Sequence, residues 1–223
     1  MGKNKLKKFA ENETFDLLFQ SDYETLLQQG FPFKEKWHAE FFKNENPIVL
    51  EIGCGKGEYT LGLAQRYPDK NFIGLDRKGA RLWAGCKQAV ETGMTNVGFI
   101  RTKAENLPLI FAENEVSEIW ITFPDPQPRK SKQRKRLTSP DFLERYRQFL
   151  KKDGIVHLKT DSRLLYEFTL EVIAAQRLDV LYQTDDLYRS DCQLDVMSIQ
   201  TFYESLWLNQ GLNIHYLQFK LQK

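Results

Sequence analysis

The chain has 223 residues, 41% of them hydrophobic, and its 32 Lys and Arg against 30 Asp and Glu leave a net charge of +2. That length and apolar content support a sizeable core, as one large domain or a domain with small appendages. No run approaches the roughly 18 apolar residues of a membrane span, and the opening MGKNKLKKFAENETF has no apolar export segment, so a cytoplasmic protein is expected. Cys54, Cys86 and Cys192 are isolated, as are His38, His157 and His215, so neither a disulfide framework nor a zinc site is encoded. The small net charge hides two basic clusters. One is Lys3, Lys5, Lys7 and Lys8; the other is Arg129 to Arg136, where six of eight residues are Lys or Arg. The first reads as a solvated terminus or as an arm that orders on nucleic acid.

In chain order, Phe9 to Phe42 is polar with scattered aromatics and reads as an N-terminal extension with one or two short helices, Trp37 to Phe42 among them. Residues 1–46 are taken as this extension and 47–223 as the main domain. Ile48 to Ile52 is an apolar strand running into Gly53-Cys54-Gly55-Lys56-Gly57, with a helix over Tyr59 to Tyr67. Asn71 to Leu75 is a second strand ending at Asp76, Lys78 to Thr92 a helix, and Val97 to Arg101 a third strand. Leu107 to Phe111 is a short turn before a fourth strand, Glu118 to Phe123. Pro140 to Leu150 is a helix capped by Ser139, Gly154 to Leu158 a fifth strand, and Ser162 caps a helix to Gln176. Leu178 to Gln183 is a sixth strand, Ile199 to Leu208 a short helix, and Asn213 to Phe219 a final strand expected to run antiparallel at one edge. Alternating strands and helices predict an α/β fold with a mostly parallel, seven-stranded sheet covered on both faces.

Ligands in such folds bind at the carboxyl ends of the strands. Gly53 to Gly57, Asp76, the Lys103 to Asn106 loop, Asp125 and Asp161 all follow strands directly and are expected to line one crevice. A dinucleotide fingerprint would need glycine at 58, where the chain has Glu58, and the observed pattern is ExGxGxG from Glu51 to Gly57. A carboxylate before the loop repels a pyrophosphate and suits a nucleoside with a cationic end. Asp76 is placed to accept ribose hydroxyls, and Lys103, Glu105 or Asn106 to meet an adenine edge. In Phe123-Pro124-Asp125-Pro126 a strand stops at two prolines and leaves a carboxylate beside the basic segment, an arrangement that suits a polyanion.

Over roughly residues 47 to 185 the pattern resembles the class I S-adenosylmethionine-dependent methyltransferases, which have a Rossmann-like fold. Enzymes of that class acting on exocyclic amines usually carry (Asp/Asn)-Pro-Pro-(Tyr/Phe), which this chain lacks. PDPxPxK followed by a basic run, Leu158-Lys159-Thr160-Asp161 and Thr201-Phe202-Tyr203-Glu204 then resemble the tRNA (guanine-N7)-methyltransferase family from Ile48 to Phe219. The resemblance implies methyl transfer from S-adenosylmethionine to N7 of a guanine in tRNA, variable-loop guanosine 46 being the family's target; a monomer or homodimer without metal is expected. It implies that Asp125 is catalytic and near the cofactor. Glu51, Gly53, Gly55, Gly57, Asp76, Lys103 and Glu105 would bind the cofactor. Arg129, Asp161, Thr201, Tyr203 and Glu204 would contact the substrate; because guanine presents N1–H and N2–H donors away from N7, Asp161 and Glu204 are expected to read that edge. Ser131, Lys132, Gln133, Arg134, Lys135 and Arg136 would touch RNA. The chain departs from the family in three places: Gln127 stands for the usual tryptophan, Lys132 for histidine, and Lys103 for Asn or Asp. Other readings are a class I methyltransferase on another RNA or protein nitrogen, and a non-catalytic RNA-binding module. Thr201 with Glu204 also carries the signature of a helix capping box.

Overall fold

The computed structural model describes residues 3–193 and 199–222. Its N-terminal segment carries more structure than its polar sequence implies. Lys3–Asn12 form helix α1, Leu18–Gln20 a strand β1, Tyr23–Gln29 helix α2, and Trp37–Phe42 a stretch of π-helix. Trp37 is fully buried and stacks on Phe111 with ring centroids 5.4 Å apart, while Phe31 also stacks on it, Phe33 lies tilted against it, and Phe19 and Phe41 pack edge-on. The scattered aromatics of this segment thus form one cluster on the sheet.

The strands and helices that follow alternate as the periodicity predicts. They are β2 (Ile48–Ile52), α3 (Glu58–Arg66), β3 (Asn71–Asp76), α4 (Gly79–Glu91), β4 (Val97–Arg101), a short α5 (Leu107–Ile110) and β5 (Val116–Thr122). Then come α6 (Pro140–Arg147), β6 (Leu150–Thr160), α7 (Arg163–Gln176), β7 (Val180–Thr184), α8 (Phe202–Asn209) and β8 (His215–Lys220). The sheet order is β1-β4-β3-β2-β5-β6-β8-β7, parallel throughout except for β8, which runs antiparallel to both β6 and β7. Every residue of β2 and β3 is buried, as strands covered on both faces require.

Two expectations are corrected. The sheet has eight strands, because Leu18–Gln20 pairs with β4 in parallel; three residues of mixed polarity carry no alternation long enough to read. The antiparallel strand is inserted between β6 and β7, so β7 forms the edge. Residues 18–20 and Trp37 therefore join the sheet and core that the rest of the chain builds.

At the amino ends of the strands, Lys70 Nζ lies 2.6 Å from Glu118 Oε1, and His157 Nε2 lies 3.6 Å from Oε2. His157 stacks flat on Trp120 at 3.8 Å. Burial pushes the Glu118 carboxyl up, but the neighbouring His157 imidazole and the Lys70 ammonium, which donates to it, outweigh burial and hold the pKa at about 2. A depressed carboxylate contributes stability above its unfolded value, and that contribution is lost as pH falls toward 2. Glu118→Gln should therefore lower stability at neutral pH by at most about 3 kcal/mol. In urea titrations at several pH values, its gap from the parent chain should close between about pH 4.5 and 2. A gap independent of pH would rule the clamp out.

Candidate active site

The five loops after β2 to β6 lie along the carboxyl edge of the sheet, but the residues expected to share one crevice border two clefts, and Asp125 and Asp161 line neither of them. The glycine loop is held from below by Gly53 and Cys54, whose N–H groups both donate to the Leu75 carbonyl, at 2.7 and 2.9 Å. Gly53, Gly55 and Gly57 all have positive φ, at 84°, 60° and 78°. The three glycines have different duties. A Cβ on Gly57 would sit 2.8 Å from the Phe99 ring, so this one is needed for packing; Gly53 and Gly55 face open space, where a ligand can approach the backbone.

Glu51 is buried under this loop. Thr122 Oγ1 donates to its Oε1 at 2.5 Å and Thr60 Oγ1 donates to its Oε2. Burial raises the Glu51 pKa, the two hydroxyls pull it back down, and the nearby Asp76 charge pushes it up again. Asp76 ends β3 and accepts the Gly55 N–H at 3.0 Å and the Lys78 N–H at 2.7 Å, which aim its carboxylate across the loop.

Two clefts flank Asp76. One, of about 130 Å3, lies between the glycine loop and the start of α8 and is lined by Glu51, Lys56, Arg81, Phe123, Thr201 and Tyr203, among others. The other, of about 720 Å3, opens over the ends of β1, β3 and β4 beside Arg77, Lys103 and Asn106. Lys103 is exposed at its rim. Asn106 is buried and donates to Thr102 Oγ1, and Glu105 is exposed and does not line this cleft, so the third loop offers Lys103 rather than Glu105 to a ligand here.

Phe123 follows β5 with φ of 47°, a left-handed conformation that costs a bulky residue free energy and turns the chain sharply upward. Its N–H donates to the Lys159 carbonyl at 2.8 Å, which fixes the turn. The turn leaves Asp125 exposed, with Oδ1 accepting the Gln127 N–H at 3.0 Å and no partner for Oδ2 among the described residues. Asp161 stands half-buried at the end of the adjacent β6. Neither aspartate lines the smaller cleft; both belong to the edge beside it.

Arg129 and Ser131 to Lys135 are exposed, and residues 130–135 form a 3-10 turn. Arg136 departs from this set. It is buried, its guanidinium donates to the Pro126 carbonyl at 3.1 Å and the Gln127 carbonyl at 3.2 Å, and it lies over the Phe168 ring at 4.3 Å. The expected phosphate contact is corrected here: Arg136 braces the turn that presents Asp125. Nothing in a run of basic residues distinguishes the one that folds inward.

Thr201 and Glu204 form the capping box at the start of α8, the Thr201 side chain accepting the Glu204 N–H and the Glu204 side chain accepting the Thr201 N–H. Glu204 is fully buried, with Lys159 Nζ 2.7 Å and Tyr188 Oη 2.8 Å from its Oε1. It has no accessible oxygen for a base edge, so the guanine-reading position expected for it is corrected to a supporting one. Thr201, Phe202 and Tyr203 reach the smaller cleft instead. Phe202 N–H donates to Glu58 Oε2 at 3.0 Å and Lys56 lies over the Phe202 ring, so the helix start is seated on the glycine loop. Lys56, Arg81, Thr60 and Thr122 carried no motif of their own in the sequence. Among the described residues no cluster of three or more His, Cys, Asp or Glu could hold a metal, and no helix is long and apolar enough to cross a membrane.

A family profile described as a putative methyltransferase matches residues 45–217. The tRNA (guanine-N(7)-)-methyltransferase of Bacteroides thetaiotaomicron is 52% identical over 221 residues, 99% of this chain and 87% of that protein. The chain belongs to the tRNA (guanine-N7)-methyltransferase family. Its likeness to family members extends to the same enzyme of Christiangramia forsetii, 52% identical over 99% of both chains, and of Brevibacillus brevis, 37% identical over 87% of this chain and 89% of that one. Among solved structures, the 16S rRNA methyltransferase KamB superposes with a TM-score of 0.66 over 87% of this chain and 96% of its own, at 15% identity, a likeness of fold.

Proposed function

We propose that this chain transfers a methyl group from S-adenosylmethionine to N7 of a guanine in tRNA, the variable-loop guanosine at position 46. The observation that carries the reading is the gathering of an open glycine loop, Glu51, Asp76, Asp125 and Asp161 along one edge, in a chain 52% identical over nearly its whole length to a tRNA (guanine-N(7)-)-methyltransferase. Residues 47–223 make up the methyltransferase domain and 1–46 its N-terminal extension, and the cytoplasm is where it meets tRNA.

The residues fit the cofactor. Gly53 and Gly55 leave space above the loop, Asp76 has lone pairs left for ribose hydroxyls, and Lys56 and Arg81 in the smaller cleft suit an amino-acid carboxylate while Glu51 lies below for the cationic end. Bound S-adenosylmethionine supplies a methyl carbon made electrophilic by its sulfonium.

The rest falls to the chain's own groups. Guanine N7 has a lone pair and no proton, so no strong base is required. Holding N7 in line can contribute roughly 7 to 11 kcal/mol through positioning. Asp161 accepts from the guanine N1–H and N2–H edge, which selects guanine. Asp125 stands between base and cofactor and meets the positive charge that forms on the ring. Thr201 and Tyr203 close the side of the site, and Arg129 with residues 131–135 holds phosphates.

The test is incubation of the purified chain with total tRNA and labelled S-adenosylmethionine, followed by nucleoside analysis. Label in 7-methylguanosine is expected, and its loss when guanosine 46 is replaced by adenosine. Label in another nucleoside would overturn the assignment.

A further inference from the structure

The basic cluster near the start of the chain has no part in the site described above. In the structure its lysines lie on α1, which packs along α4: Asn12 donates to the Gly79 carbonyl at 2.9 Å, and Trp83 Nε1 donates to Glu11. Lys8 lies 4.2 Å above the Trp83 ring and Lys5 5.9 Å from the Phe9 ring. Phe9 in turn packs against the position of Gly79 and beneath Arg101. That places one end of α1 at the first turn of α4, next to Arg77 and Lys78 and the wide cleft.

The charges around that cleft are not equivalent. Arg101 is committed to Gln20 and the Phe9 ring, and Asp22 to the N-cap of α2. Arg77, Lys78 and Lys103 are exposed and have no acidic partner among the described residues; Lys5 and Lys8 meet only aromatic rings. Glu11 is bound by Trp83 and Lys7, and the two acids that line the cleft, Asp22 and Glu24, form no ion pair with these cations among the described residues. A cleft of about 720 Å3 is also far larger than an adenine ring fills, since clefts of roughly 300 to 1,000 Å3 hold whole drug-sized ligands. Unpaired cations beside unfilled space call for a polyanion.

Resting on the tRNA reading above, we propose that this flank, with Arg77 and Lys103 at the cleft, Lys78 at the start of α4 beside it, and Lys5 and Lys8 on α1, is a second contact for the phosphate backbone of the tRNA. It lies across the cofactor crevice from residues 129–135. The end of β4 is three strand positions from the end of β5, so the two contacts are roughly 15 Å apart at their inner edges, a distance a few nucleotides cover. Two contacts on either side of the crevice would orient the RNA over Asp125 and Asp161, which a single contact leaves free to pivot.

The test is tRNA binding by the full chain against its quadruple variant Lys5→Gln/Lys8→Gln/Arg77→Gln/Lys78→Gln at several salt concentrations. Each lost phosphate contact should lower the slope of log K against log salt by about 0.7 to 0.9, so the slope should fall by roughly 3 and Kd should rise at least tenfold at 150 mM salt. Cofactor Kd should stay within about twofold. Backbone footprinting adds a readout independent of affinity: the parent chain should protect two separate stretches, the quadruple variant losing one and Lys132→Gln/Lys135→Gln the other. An unchanged slope and Kd, or a single protected stretch, overturns the second contact. If the parent chain forms no 7-methylguanosine, the functional reading fails instead, and these binding results still decide whether the flank holds RNA.

Discussion

Asp125→Asn should leave cofactor affinity within a few-fold and lower the single-turnover rate of tRNA methylation by about 10²- to 10³-fold. The substitution keeps the shape of the side chain and removes its charge. Gln127 N–H can still donate to the amide oxygen, so the turn braced by Arg136 survives and the change is confined to electrostatics. The charge matters because methylation turns a neutral guanine into a cation within the step itself. A fixed carboxylate stabilises that developing charge more than it stabilises the neutral base, and losing one such fixed group costs about 2.7 to 4 kcal/mol in comparable sites. Asp161→Asn should differ in kind. An amide oxygen still accepts one guanine N–H while the NH2 group opposes the other, so guanine binding weakens and KM for tRNA rises more than kcat falls. Retained turnover in both variants would overturn the roles given to both aspartates.

How much of this site the sequence shows depends on whether a residue acts locally or through the fold. Glu51, the glycines and Asp76 were legible because strand, turn and helix follow one another within a few residues and put them at one edge. The positions of the caps were legible for the same reason: Ser162 accepts the Leu165 N–H as its motif predicts. At Ser139 the position holds but the bond differs, since the hydroxyl donates to the Arg134 carbonyl. What the sequence did not show were contacts over long separations. Arg136 and Arg134 look alike in a basic run, and only the fold puts Phe168 beneath one of them. Strand β1 is three residues whose pairing comes from β4, eighty residues away, rather than from their own pattern. Glu204 has the right type and spacing for a base-reading acid, yet it is buried against Lys159, which comes from the distant strand β6.

That buried pair carries the second large expectation. Lys159 and Glu204 are both fully buried, and they link the strand that ends at Asp161 to the helix that starts at Thr201. Lys159 also reaches the Ile199 carbonyl at 3.4 Å, and Ile199 packs so closely on Gly62 of α3 that a Cβ there would lie 2.7 Å from it. The pair thus seats the side of the cleft formed by Thr201 to Tyr203. Glu204→Gln preserves the capping box, since glutamine serves at that position, and removes only the charge. The cost should be about 4 kcal/mol, near the free energy of deprotonating a lysine at neutral pH, because Lys159 can escape by losing its proton. Burial already pulls the Lys159 pKa down while the Glu204 charge pushes it up, so without that charge it falls further. The sign of the pH dependence follows: the unfolded chain then binds the proton more tightly than the folded one, so the variant should regain stability as pH rises toward the ordinary lysine value. Lys159→Met/Glu204→Gln should be more stable than either single variant, because no charge is left buried without a partner. It should still bind the cofactor more weakly than the parent chain, since the tether between β6 and α8 is gone. Denaturant unfolding of the four proteins from pH 7 to 10, with cofactor Kd for each, separates the two effects. Additive single-variant losses would show that the two side chains do not act as a pair, and parental cofactor affinity in the double variant would show that they do not seat the cleft.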